Sequence, residues 1–441
     1  MTSNPKCILI IGGGIAGPIL ALFLKQAGFC AHIFEASAGP SETGGGGGLG
    51  LAPNGMNVLA AAGVIDQVRN VSVTCHEWAF ENQYGKLLAC NSAGDPALYG
   101  QAGIMITRTA LHWVLVDRAI QQGISVDYNK RLISVEDQPG RPIVAHFADG
   151  TAVEGDLIIG ADGIRSQVRQ AVMPNAPKPV YSGLSAPGGI SPCIDSYVTP
   201  RSNQRVHFIF GKDGFFGYFN VVTPDGPRTM WWSTASAPLE DREKAATTTP
   251  TERQNRLLAL HANWAHPIPQ LIQSAEEILN VAIHDVPSLP SWSVGRTLLI
   301  GDAAHAVAPH SGQGASMALE DAMYLAKLLR ESNGTPIEKV FTAFEQHRRP
   351  RTDKVIALGR RNGQHKQRMS PIEFWTKQQM IRIFVPLTRQ KKQDWLLSYK
   401  VDWPALPPVP PAPSPSYPDK TSDYALSSES NSAPHLQHIN A

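Results

Sequence analysis

The chain has 441 residues, 42% of them hydrophobic, enough apolar content for a substantial core and length for about two domains. Its 39 basic residues nearly balance 37 acidic ones, and a formal net charge of +2 gives no field to gather nucleic acid or an anionic membrane, so a small-molecule partner is expected. Five cysteines (Cys7, Cys30, Cys75, Cys90, Cys193) include no CxxC pair, which argues against a disulfide framework, a zinc site or a dithiol redox centre; reduced thiols packed as small apolar residues are expected.

The first element, Cys7 to Ile11, reads as a buried parallel strand because it is continuously apolar and ends in glycine. It is too short for a signal-peptide core, and no run reaches membrane-spanning length, so a cytoplasmic protein without stable membrane insertion is expected. A helix over Ala16–Ala27 stopping at Gly28 and a strand over Ala31–Ser37 complete a βαβ unit. Gly12, Gly14 and Gly17 stand at its turn in GxGxxG spacing: the first for the tight turn, the second for approach of a pyrophosphate, the third for helix–strand packing. Free N–H groups at the helix start favour the phosphates, and Glu35 ends the second strand where a carboxylate can accept from ribose hydroxyls. This predicts a dinucleotide and leaves NAD and FAD both open.

Next comes "TGGGGGLGLAPNGMNVL", whose five consecutive glycines imply a mobile loop. "MITRTALHWVLVDRA" predicts an amphipathic helix on Leu111, Leu115 and Ala119, with Arg108 at its start. Asp156 to Gly160 gives another strand, and "ADGIRSQVRQAV" opens a helix. From Tyr181 to about Pro290, aromatic runs such as "RVHFIFG", "GFFGYFNVV" and "TMWWST", parted by Gly, Pro and Asp, predict an inserted antiparallel sheet. An apolar strand ending at Ile300 then leads into "GDAAHAVAPHSGQGASMALEDA", with helix after Gly314 and on through "EKVFTAFEQHRRPRTDKVIALGRR". His305 and His310, five apart with Pro309 between, do not match a helical zinc pair, and no metal is expected. "QHRRPR" (Gln346 to Arg351) reads as a solvated helix end, "KQDWLLSYKVDW" as packing, and the Pro-, Ser- and Asn-rich sequence from Pro404 as a disordered tail.

Three of these segments, the GxGxxG unit, "LIIGADGIRSQVR" and "RTLLIGDAAHAVAPHSGQGASMALEDA", resemble in order and spacing the flavoprotein monooxygenases of the para-hydroxybenzoate hydroxylase and salicylate hydroxylase type. The resemblance implies an α/β fold: a Rossmann-like FAD-binding domain (1–180 and 291–360), an inserted antiparallel-sheet substrate domain (181–290), C-terminal helices (361–403) and a tail (404–441). It implies noncovalent FAD, with Asp302 at the ribityl or pyrophosphate region, Asp162 in the companion turn and Arg108 against the phosphates. Gly48 runs beside the flavin ring, Pro309 shapes the turn above it, and Gly312, Gln313, Gly314 and Ala315 open a helix whose N–H groups favour negative charge there. One GxGxxG implies that NADPH or NADH binds transiently, as reductant for dioxygen chemistry.

The arginine that many aromatic-hydroxylating relatives carry after the second segment is missing at "SAPGG" (Ser185 to Gly189), and Phe219 stands where some use tyrosine. These departures imply a bulky, largely neutral aromatic or polycyclic substrate, hydroxylated or epoxidised in secondary-metabolite biosynthesis. His310, Phe210, Phe216, Tyr218, Phe219 and Trp232 are its candidate contacts, together with Phe208, and no general base stands out. A flavin oxidase or dehydrogenase without oxygen insertion is the alternative. A halogenase is disfavoured, because no WxWxIP string occurs.

Overall fold

A computed structural model describes residues 7–40, 47–193, 204–236, 248–279, 282–364, 368–387 and 394–404. The glycines before Gly47 and the sequence beyond Pro404, read above as a mobile loop and a tail, lie largely outside these residues.

The buried apolar runs build one six-stranded sheet, ordered Ser293–Val294, Thr297–Leu299, Leu157–Gly160, Cys7–Ile11, Cys30–Phe34, Ser125–Asp127. All neighbours are parallel except the Ser293–Val294 edge. Ile8 faces Leu157 and Cys7 faces Cys30 across the central ladders. Cys75 is buried, whereas Cys30 is exposed, contrary to the expectation that every cysteine is packed away. The helix Ala16–Gln26 ends at Ala27, with Gly28 at φ +86, and packs against helices Arg108–Gln121 and Gly314–Glu331.

The second sheet has nine strands and draws on more of the chain than an insert at 181–290. Glu77–Asn82 and Leu87–Ser92 join it, the former pairing in parallel with Arg205–Phe210. The pairing is nonlocal and has no signature within either strand. Alternation along the strands sends successive aromatics to opposite faces. One face carries Phe216, Tyr218 and Trp231 into a core with Leu257, Trp264 and Leu271, closed by helices Pro250–Leu260 and Ile268–Gln273. The other carries Phe208, Phe210, Phe215, Phe219, Met230 and Trp232.

The helix Ile337–Gln364 runs through Pro350 without stopping, so the expected boundary at 360 falls inside it. The later "KQDWLLSYKVDW" segment does pack: Leu396 and Leu397 are buried, and the Trp403 ring meets Phe23 edge-on at 4.9 Å while its Nε1 donates to Gln26 Oε1.

Candidate functional site

Because the parallel strands lie side by side, the chain leaves them at Gly12, Ala161 and Gly301 along one sheet edge, where open α/β sheets bind ligands. The glycines divide their work there. A Cβ on Gly12 (φ +113) would lie 2.5 Å from Ala161 O, and one on Gly17 would lie 2.0 Å from Gly12 O, so both are dictated by packing. A Cβ on Gly14 meets nothing within 4 Å; its face is open, as approach of a phosphate requires. Glu35 Oε2 accepts from Gly13 N at 2.6 Å and Oε1 from Ser37 N at 2.9 Å, which fixes the carboxylate beside the turn. His112 braces the same turn: its Nε2 lies 2.9 Å from Gly13 O, and because a carbonyl only accepts, the proton sits on Nε2. Burial lowers the His112 pKa, keeping the ring neutral.

Asp162 caps a helix. Its Oδ2 accepts from Gln167 N (2.7 Å) and Val168 N (3.0 Å), and burial raises its pKa. Three residues beyond the cap's Ser166, the buried Arg169 donates to Ala303 O (2.8 Å) and Ile164 O (2.6 Å), tying this turn to the one at Gly301.

Asp302 is exposed to solvent, yet surrounding protein desolvates it and raises its pKa against the opposing pull of His305 and Arg108. A carboxylate both accessible and desolvated sits at the floor of a cleft. Arg108 is exposed, and its backbone N–H donates to Gly47 O at 3.0 Å. The turn Pro309–Ser311 ends at Gly312 (φ +63), and Gly312 and Gly314 both have open Cβ directions. The helix Gly314–Glu331 begins there, with Gln313 as N-cap and Ala315 in its first turn. Gln313 is buried, and Asn54 Nδ2 donates to its Oε1 at 3.1 Å and to Glu320 Oε1 at 2.7 Å. The open glycine faces and the cleft carboxylate fit a ligand carrying phosphates at one end and a flat ring at the other.

Gly48 adjoins the second sheet. A Cβ on Gly48 would lie 2.3 Å from Met230 Sδ and 3.1 Å from Phe219 Cζ. Phe219, Phe210 and Trp232 therefore belong to the face turned to this cleft, with Phe208 between them. Phe216 and Tyr218 do not; they point through the sheet, Phe216 stacked on Trp231 at 5.4 Å, and are removed from the substrate contacts. His310 rests on the long helix, where a Cβ on Gly363 would lie 2.6 Å from its Cδ2 and Asn362 Nδ2 donates to its carbonyl.

Beneath the cleft lies a charge cluster that the sequence did not announce. Asp321 Oδ2 accepts from Gly301 N (2.9 Å) and meets His305 Nε2 at 2.5 Å; Asp321 Oδ1 accepts from Arg348 Nε at 2.7 Å. Glu320 accepts from Arg348 Nη1 (2.8 Å) and Arg351 Nη2 (2.7 Å). Arg348 is fully buried and Arg351 nearly so, which corrects the reading of "QHRRPR" as a solvated helix end. The carboxylates they need stand 27 to 31 residues earlier, on a different helix. Among the described residues no His, Cys, Asp and Glu group suits a metal ion, and no helix is long and apolar enough to cross a membrane.

Residues 6–358 match the model of a family described as FAD binding domain. The chain is 31% identical over 378 residues to 6-hydroxynicotinate 3-monooxygenase of Pseudomonas fluorescens, covering 82% of this chain and 92% of that one. It is 31% identical over 392 residues to salicylate hydroxylase of Pseudomonas putida, covering 82% and 86%. In fold it resembles Klebsiella pneumoniae HpxO solved with FAD and uric acid, with a TM-score of 0.78 at 22% identity over 89% of this chain and 97% of that one.

Proposed function

Because the chain belongs to the FAD-dependent monooxygenases of the para-hydroxybenzoate hydroxylase and salicylate hydroxylase type, we propose that it draws electrons from NADPH or NADH and places one oxygen atom on an electron-rich, bulky aromatic metabolite. Activity on aromatic substrates follows from the family; the reductant, the size of the substrate and a place in secondary metabolism are our reading. The observation that carries it is the cleft at the sheet edge, open at Gly14, Gly312 and Gly314 and abutting an aromatic sheet face through Gly48.

FAD, when bound, supplies the redox chemistry that activates dioxygen. The chain positions it: the open turn at Gly14 receives the pyrophosphate, and Asp302 and Arg108 hold the ribityl and phosphate regions. The N–H groups at the start of Gly314–Glu331 favour negative charge on the ring. Phe219, Trp232 and Phe210 offer apolar faces that orient an aromatic ring and exclude water. His310 stands at the edge of this space and is kept as a candidate contact.

Purified protein should carry FAD released by denaturation, and NADPH consumption should accelerate with an aromatic substrate. Isotopically labelled dioxygen should then leave one labelled atom in the product. Unlabelled product with hydrogen peroxide matching the NADPH consumed would instead identify an oxidase.

A further inference from the structure

The helix Pro371–Leu387 lies against Leu87–Ser92 at the edge of the nine-stranded sheet. Its inner side is held there: Phe374 is buried and meets Tyr84, Asn82 Nδ2 donates to Gln378 Oε1 at 2.8 Å, and Lys377 Nζ lies 4.3 Å from the centroid of Phe210. Its outer side is apolar as well. Ile372, Trp375, Met380, Ile383, Phe384 and Leu387 recur at helical spacing, with Ile372 78%, Trp375 63% and Leu387 76% exposed. Among the described residues 13 large apolar side chains are exposed; six stand on this one helix, and the other seven lie one each on separate elements or turns. Single exposed apolar residues are ordinary, whereas a stripe along about 25 Å of helix marks an interaction surface.

Charge identifies what docks on it. Between Lys366 and Lys392 the sequence has seven basic residues and one acidic, Glu373, although the whole chain carries only +2. The overall balance that gives no field toward an anionic membrane therefore hides a local one. Arg382 is exposed on the helix itself, and Arg389, Lys391 and Lys392 follow within five residues of its end. A second copy docking two-fold through this face would set the basic stretch against itself. An anionic lipid surface meets both features at once, because the apolar side chains enter the boundary between headgroups and acyl chains while the cations meet the headgroups. Tryptophan and phenylalanine suit that depth. No described helix is long and apolar enough to cross a bilayer, so this one lies in the plane of the surface.

We propose that the outer face of Pro371–Leu387 seats the protein on an anionic phospholipid surface. Trp375, Ile383, Phe384 and Leu387 enter the interface, and Arg382 with the basic residues after the helix meets lipid phosphates and carboxylates. The apolar stripe supplies the depth of seating and the cations the choice of lipid. This docking is independent of the reaction proposed above and requires no flavin chemistry.

Flotation of the full-length, flavin-loaded protein with lipid vesicles tests it. Partitioning onto phosphatidylcholine vesicles that contain phosphatidylserine should exceed that onto phosphatidylcholine alone by about tenfold or more, and should fall as salt is raised. Trp375→Ser/Phe384→Ser should weaken binding to the mixed vesicles by about tenfold or more. Both side chains are exposed, so flavin content and thermal midpoint should not change. Arg389→Gln/Lys391→Gln/Lys392→Gln should remove the preference for phosphatidylserine and leave the weak binding to phosphatidylcholine. Protein that stays in solution with both kinds of vesicle overturns the proposal, as does vesicle binding that neither set of substitutions weakens. A parent protein that ignores vesicles and sediments as a dimer split by Trp375→Ser/Phe384→Ser assigns the face to a second copy instead. Vesicle binding that appears only on truncation after Pro404 assigns it to the chain's own C-terminal sequence, and either result also overturns the proposal.

Discussion

Asp302 and His261 are both desolvated and answer to different measurements. On the function proposed above Asp302 is a cofactor contact, so Asp302→Ala should cost about 1 to 3 kcal/mol of flavin binding. Flavin content after gel filtration should fall sharply in that variant while the apoprotein melts near the parent temperature; full retention would remove Asp302 from the cofactor site. His261 lies in the core behind the substrate sheet, its Nε2 2.9 Å from Ser233 Oγ and its ring against Phe216 and Trp264. Burial lowers its pKa to about 4. The unfolded chain, titrating near 6.5, therefore binds more protons than the fold between those values. Stability from this residue is fully present above pH 6.5 and is lost as pH falls toward 4, by on the order of 3 kcal/mol. Melting curves across that window should slope less steeply in His261→Phe than in the parent.

The helix Gly314–Glu331 does two jobs within its first half: its first turn faces the cleft, and Glu320 and Asp321 anchor it from below to Arg348. Arg348→Met leaves two buried carboxylates short of their cation, a loss of about 3 to 5 kcal/mol. Arg349→Met, beside it but partly in water with Glu345, should cost about 1 kcal/mol or less. Chemical denaturation of the two variants distinguishes them, and equal midpoints would mean that Arg348 contributes no more than its partly solvated neighbour. This element shows what the sequence could and could not disclose. The strand at Cys7–Ile11, the glycines of the first turn and the helix after Gly314 were legible because their causes are local: apolar continuity, a forbidden Cβ, a glycine before an amphipathic run. The burial of Arg348, the entry of Glu77–Asn82 into the second sheet, and the face that receives Phe216 and Tyr218 depend on partners far along the chain. No window of residues contains that information.

Across the whole molecule the last described segment returns to the first helix, where Trp403 caps Phe23 and is itself covered by Arg330, whose guanidinium carbon is 4.3 Å from its ring centroid. Trp403 is half-buried, so Trp403→Ala should lower stability by about 1 to 3 kcal/mol, below the range for a fully buried tryptophan. An unchanged thermal midpoint would show that this closure is incidental. The strand order has a consequence in time as well as in space. The edge at Gly12 and Ala161 gains its third member only when Thr297–Leu299 adds beside Leu157–Gly160, and Asp302 and Gly314 follow it. At ordinary synthesis rates of about 5 to 20 residues per second, roughly 15 to 60 s separate the emergence of the first glycine turn from that of its counterpart. A nascent chain stalled before Thr297 would display the phosphate cradle but not the surface for the ring, so flavin should remain in solution until translation has passed the Gly314 helix.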